Sequence, residues 1–213
     1  MANEKNLQRE NITQGVFLTG NTVIDALQTT VVKDFTFAED ILNNLDYQNR
    51  KVILVTCHRR ENYGQPMTNI MTALRRIADA FPRGGAGLPR PPLPRGPGGA
   101  HKYLDNHPRI HLIAPLAVDE MHNLMARSYL VLTDSGGLQE EAPALGKPGA
   151  GDAPGDRASR GSGRRDGEAL RCGAGRHRDH GGAADPDKSA YEKMAHAVNP
   201  YGDGQACRRI VDD

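Results

Sequence analysis

The sequence predicts an α/β fold: a parallel sheet with helices covering both faces. Three observations carry that expectation. Apolar, β-branched runs alternate along the chain with amphipathic segments. One run, Lys51-Val-Ile-Leu-Val-Thr56, is almost continuously apolar, as a strand buried on both faces has to be. Small-residue turns follow the strands and open directly onto the next helix, the order of a β-α unit.

Val16-Phe-Leu-Thr19 is a short apolar run that ends at Gly20-Asn21. Asn21 or Thr22 is placed to cap a helix through Val23, Ile24, Ala26 and Leu27. Ala38 to Leu45 reads as a second short helix, and Lys51 to Thr56 as the first strand. Met67 to Ala80 spaces Ile70, Met71, Leu74, Ile77 and Ala78 by threes and fours where they face one side, an amphipathic helix. Ile110 to Ile113 is a strand, Val118 to Ala126 a helix carrying Met121, Leu124 and Met125, and Tyr129 to Thr133 a further strand. Leu138 to Leu145 follows Ser135-Gly136-Gly137 as a helix, and Ser189 to Val198 and Gln205 to Val211 read as surface helices.

Composition excludes several classes. Lys and Arg number 27 against 26 Asp and Glu, a net charge of +1, which fits neither a strongly basic nucleic-acid binder nor an acidic tail protein. No apolar run is long enough to span a membrane, and no secretion signal is visible. Cys57, Cys172 and Cys207 are odd in number and far apart, which points to a reducing cytoplasm and away from a disulfide framework. Without a Cys-x-x-Cys pair, no structural metal is expected.

Glycine and proline are in excess, at 24 and 14 residues, and the excess is local. Pro82 to Ala100 and Gly149 to Pro186 hold 12 of them each. Neither stretch has the apolar content to offset the entropy of ordering it. The expectation is one domain over residues 1–213, with 83–100 and 149–186 anomalous and outside a packed core.

Three motifs stand apart. Thr56-Cys-His-Arg-Arg-Glu-Asn62 follows a strand, where α/β sheets bind ligands, and its Arg side chains suit phosphate oxygens. A solvated basic turn is the bland alternative. Thr133-Asp-Ser-Gly-Gly-Leu-Gln-Glu-Glu141 is a strand, a small-residue turn and a helix start. Its free N–H groups favour an anion, and a carboxylate one turn further on could hold a ribose hydroxyl pair. The same string could equally be a plain strand–helix turn. Asn199-Pro-Tyr-Gly-Asp-Gly204 reads as a structural turn.

Taken together these strings resemble the non-hydrolysing UDP-N-acetylglucosamine 2-epimerases. The resemblance rests on Thr19-Gly-Asn-Thr-Val-Ile-Asp-Ala-Leu27, His58-Arg-Arg-Glu-Asn62, Leu132-Thr-Asp-Ser-Gly-Gly-Leu-Gln-Glu-Glu-Ala-Pro143 and Asn199-Pro-Tyr-Gly-Asp-Gly-Gln205. It implies a Rossmann-like parallel sheet forming one half, the carboxyl-terminal UDP-binding half, of a GT-B-type two-domain fold. It implies UDP-GlcNAc and UDP as ligands, no cofactor, and a homodimer. His58 becomes a candidate catalytic group that meets diphosphate and sugar together with Arg59. Ser135, Gly136 and Gly137 would contact phosphate, Glu141 the uridine ribose, and Met121 the uracil.

The resemblance also accounts for the two anomalous stretches. Back-translated and moved one base forward, Gly87 to Gly98 permits Val-Tyr-Pro-Val-His-Leu-x-Pro-x-Val-Arg-Glu, the family's string there. Gly149 to Ser162 likewise permits Val-Leu-Val-Met-Arg-x-x-Thr-Glu-Arg-Pro-Glu-Ala-Val. Both stretches therefore read as out-of-frame translations. The family's His in the first string falls at Pro91 and its Arg in the second at Ala158, so neither role carries over. The acidic residues proposed as acid/base catalysts in the family belong to the other half, and this chain by itself is expected to be inactive. Two rival readings are a GT-B glycosyltransferase domain and an Arg-rich nucleic-acid binder using the seven Arg between Arg157 and Arg178. The second lacks aromatic residues for base stacking.

Overall fold

The computed structural model describes residues 2–80, 84–89, 103–105, 107–150, 191–192, 194–195, 199 and 201–212. Its centre is β1 (Lys51–Thr56), where apolar residues meet neighbours on both faces: Leu54 is buried toward one side and Val55 toward the other. Around it stand β2 (Gly84–Pro89), β3 (Ile110–Ile113), β4 (Leu130–Thr133) and β5 (Gly149–Ala150), all parallel, in the order β3-β2-β1-β4-β5.

Helices cover both faces, as expected. On one face α4 (Gln65–Ala80) lays Met67, Met71, Leu74 and Ala78, spaced at one helical turn, against Val55, Cys57 and Ile110. On the other, α5 (Val118–Arg127) presents Leu124 and Met125 to Leu54, Ile113 and Val131, joined by Leu42 from the short α3 (Asp40–Asn43) and by Phe37. Leu42, Leu54, Leu124, Met125 and Val131 have no solvent exposure.

Several expected elements are shorter or longer than their pattern suggested. The helix after Ser135 is α6 (Gly136–Glu141), and it tightens into a 3-10 turn over Ala142–Leu145. Pro143 explains this, since it has no N–H to continue the α pattern. Gly146 then ends the turn at φ +64°, a left-handed conformation that glycine adopts without a Cβ clash. The expected helix Ala38–Leu45 is a single turn, α3. An unexpected helix, α1 (Ala2–Arg9), has Leu7 as its only large apolar side chain and so shows no apolar stripe in sequence.

Within the stretch 83–100, expected to be anomalous and disordered or mispacked, residues 84–89 form a strand. Gly-Gly-Ala-Gly-Leu-Pro is β2, paired with β1 from Lys51↔Gly84 to Leu54↔Gly87 and with β3 from Ala86↔Ile110 to Pro89↔Ile113. A ladder is made by backbone groups, so a strand poor in side chains can occupy the slot between two apolar strands. Gly149–Ala150 pairs with Val131–Leu132 in the same way. The rest of both stretches, 90–100 and 151–186, lies outside the described residues.

The chain's early and late segments clasp each other. α2 (Thr22–Thr30) is capped by Asn21, whose side chain accepts the Val23 N–H. Asn21 also donates its backbone N–H to Tyr201 O at 3.0 Å. Asp25 accepts the N–H groups of Ala206 and Cys207 at 3.1 and 2.9 Å, so it caps α7 (Ala206–Asp212) from another helix. Gly20, at φ +98°, lets this crossing close: a Cβ there would stand 3.6 Å from Gly202 Cα.

Candidate functional site

The sheet order sets the position of the site. β1 runs beside β4, yet the chain leaves them in opposite directions, into α4 on one face and α6 on the other. Their carboxyl ends therefore open a crevice at the point where the strand order reverses, the usual place for a ligand in an open α/β sheet. The ends are tied: Thr56 and Thr133 share a hydroxyl hydrogen bond of 2.5 Å, and Thr133 Oγ1 also accepts the Ser135 N–H at 2.9 Å.

Asp134 organises the crevice. It is buried, and its Oδ2 accepts the backbone N–H groups of His58 and Arg59, both at 2.8 Å, and the Asn62 amide at 2.9 Å. Its Oδ1 lies 3.0 Å from His58 Nδ1. One carboxylate on β4's loop thus shapes the whole loop after β1. The imidazole, half exposed, keeps its Nδ1 edge toward Asp134 and its other edge toward solvent. Cys57, which accepts from the Asn62 amide at 3.7 Å, is held as a neutral thiol: burial first, and the Asp134 charge second, push it up to about 12. It is no nucleophile at neutral pH.

Opposite this loop, α6 begins without a side-chain cap at Ser135, so the N–H groups of its first turn have no intrahelical partner. The Arg59 guanidinium lies over this start, 3.7 Å from where a Cβ on Gly136 would be. At Gly137 a Cβ would meet Glu141 Oε1 at 3.4 Å and Ser135 Oγ at 3.9 Å. Two glycines therefore leave an uncovered floor edged by a guanidinium, a hydroxyl and a carboxylate. A guanidinium and free N–H groups attract phosphate oxygens, and a carboxylate attracts hydroxyl hydrogens.

The chain matches the family model described as UDP-N-acetylglucosamine 2-epimerase over residues 1–213. The chain belongs to this family. The UDP-N-acetylglucosamine 2-epimerase of Bacillus subtilis is 42% identical over 213 residues, covering 98% of this chain and 54% of the relative. The chain thus spans about half the length of the curated relatives it matches. Among solved structures, the S. aureus MnaA–UDP complex is similar at a TM-score of 0.81 and 36% identity, covering 98% of this chain and 56% of that one. The Neisseria meningitidis UDP-GlcNAc 2-epimerase bound to UDP-GlcNAc is similar at 0.75 and 32%, covering 98% and 58%. The Rossmann-like half of a GT-B-type fold, expected from the strings, is the fold of these neighbours.

Of the residues singled out in the sequence, His58, Arg59, Ser135, Gly136, Gly137 and Glu141 gather around the ends of β1 and β4. Met121 is half-buried beside the core that α5 shares with Leu138, one residue ahead of the buried His122. Pro91 and Ala158, the positions of the family's missing His and Arg, lie outside the described residues. Reading the sequence missed two organising groups. Asp134 looked like part of a strand–helix turn, although an acid directly after a strand and level with a His-Arg pair is a recognisable pairing. His122 sat inside an apolar helical pattern and gave no signal of its partners.

Proposed function

We propose that this chain is the UDP-binding half of an enzyme that interconverts UDP-GlcNAc and UDP-ManNAc. The single observation that carries this reading is the convergence of Arg59, the uncapped start of α6 and Glu141 on one glycine-floored crevice between β1 and β4. Arg59, Ser135, Gly136 and Gly137 hold the diphosphate, Glu141 the ribose hydroxyls, and Met121 is offered to the uracil as an apolar contact without aromatic stacking.

The reaction breaks the bond between C1 and the UDP oxygen while C2 loses its proton, which gives a 2-acetamidoglucal and UDP. Re-addition of UDP with a proton delivered to the opposite face of C2 inverts that centre. Departing diphosphate gains charge, and a guanidinium with free N–H groups stabilises it. His58, whose outer edge faces the crevice opening while Asp134 fixes the inner one, is the candidate group to bear or relay a proton beside the diphosphate. The acids and bases at C2 and C3 come from the other half of the enzyme. The working enzyme is a cytoplasmic homodimer with no cofactor. Among the described residues no helix is long and apolar enough to cross a membrane.

Isothermal titration of the chain with UDP tests the reading. Saturable UDP binding that is lost in Arg59→Ala, with no epimerase turnover by the chain itself, is the expected result. Absence of UDP binding by a folded chain refutes it.

A further inference from the structure

Behind Glu141 lies a polar chain that the crevice does not use directly. Thr30, the last residue of α2, sets Oγ1 2.7 Å from His122 Nδ1 and 3.0 Å from Ala26 O. The opposite ring nitrogen, His122 Nε2, stands 3.2 Å from Glu141 Oε2. His122 and Glu141 are both buried, and Oε2 is wholly enclosed without a hydrogen-bond partner, the His122 ring being its near polar neighbour. Neighbouring Asn123 locks the frame: its amide donates to Thr30 O at 2.7 Å, and its Oδ1 accepts the Val32 N–H at 2.9 Å. The end of α2 therefore cannot slide along α5.

The Thr30 hydroxyl has two possible acceptors, and the tautomer of the ring follows from which one it serves. If the Thr30 hydroxyl donates to Ala26 O, Nδ1 must carry a proton and donate to Oγ1. If it donates to Nδ1, the neutral ring carries its proton on Nε2. A bare Nε2 would oppose its lone pair to a buried carboxylate at 3.2 Å. With a proton on Nε2, the ring faces Oε2 as a donor at 3.2 Å. One carboxylate oxygen is then held from behind, and Oε1, beside the open space at Gly137, is left for a ligand.

We infer that His122 is a positioning residue for Glu141: the Thr30–His122 pair pins Oε2 so that Oε1 is presented to the vicinal hydroxyls of a nucleoside diphosphate. This rests on the proposed role of Glu141 at the ribose. A buried carboxylate without its donor would turn or take up a proton, and either change removes a charged acceptor from the crevice.

Discrimination between UDP and 2′-deoxy-UDP, read by titration calorimetry on the full chain, tests the inference. The parent is expected to prefer UDP by on the order of ten-fold, the worth of one hydrogen bond to a charged group. His122→Leu should bring the ratio to near one while both ligands still bind through the diphosphate. His122→Gln, which keeps an N–H able to reach Oε2, should restore most of the preference. A packing role alone would lower thermal stability and leave the ratio untouched, so a folded His122→Leu that keeps the full preference overturns the inference. If His122→Leu does not fold, Thr30→Val carries the test, because it frees Nδ1 and should shrink the ratio; an unchanged ratio there is equally fatal. Failure of the parent to bind either ligand would instead remove the nucleotide reading on which the inference rests. Equal binding of both by the parent would remove the ribose role of Glu141 alone.

Discussion

β1 has two neighbours in the sheet, and they hold to it by different means. β4 pairs Ile53↔Leu130 through Thr56↔Thr133 and adds Leu130, Val131 and Thr133 to the buried interior. β2 pairs Lys51↔Gly84 through Leu54↔Gly87 and is spelled Gly-Gly-Ala-Gly-Leu-Pro. Its three glycines bring no side chain, and Pro89 brings no N–H. A parallel slot can be filled by backbone alone, but burial of side chains is what separates a stable sheet from a merely paired one. All the crevice residues are on the β1/β4 side or on the helices behind it. The candidate site stands at the ends of β1 and β4, two strands of ordinary sequence.

The strongest way to sharpen this contrast is to give β2 its side chains back. Replacing Gly87–Gly98 by the frame-restored Val-Tyr-Pro-Val-His-Leu-x-Pro-x-Val-Arg-Glu string should raise the unfolding free energy by roughly 1.5–3 kcal/mol for each large apolar side chain that reaches the core. Urea denaturation reads this, and an unchanged midpoint would mean that β2 contributes nothing beyond its backbone. On the other flank, Leu54→Ala removes a fully buried side chain of β1 and should cost about 2–5 kcal/mol by the same measurement. A loss well below 1 kcal/mol would show that the β1 core is as loosely filled as β2.

A third change separates site from scaffold. Gly137→Ala places a methyl 3.4 Å from Glu141 Oε1, in the space left for a ligand, while improving helix propensity. UDP affinity should fall about ten-fold, or about 1.4 kcal/mol, with stability equal or slightly higher. Affinity that stays at the parent's level would place the ligand elsewhere.

The smallest effect concerns the clasp. Desolvation pushes the Asp25 carboxyl up, but the N–H groups of Cys207 and Ala206 together pull it further down, below its ordinary 3.8. A carboxyl lowered in the folded state adds stability above pH 3.8, and that contribution is lost as pH falls through the lower folded value. Protection of the Ala206 and Cys207 amides, taken relative to their intrinsic exchange rates, should therefore fall below about pH 4, and Asp25→Asn should show the lower protection already at neutral pH. Exchange in Asp25→Asn that matches the parent would leave the cap without effect.

The α/β layout was legible because β1, β3 and β4 are short β-branched runs between amphipathic segments, and β1 and β3 fall where the pattern places them. α1 and β2 were illegible for opposite reasons. The first has no stripe, and the second is held by a ladder that any backbone can join. The crevice residues could be read as motifs after strands, whereas the contacts of Asp134 and the contact of Thr30 to His122 join residues 72 to 92 positions apart, and no local pattern records such pairings.

The clasp between Asp25 and Ala206 joins residues 181 positions apart. Closing so long a loop from an unfolded chain carries a large entropy cost, which falls once the intervening sheet has drawn the ends together. The clasp can close only when the segment around Arg209, which donates to Thr19 O, is present. α2 also packs against α5 and α6, which lie earlier in the chain than that segment, so these helices offer its apolar side, with Ile24 and Leu27, a first cover before the clasp shuts.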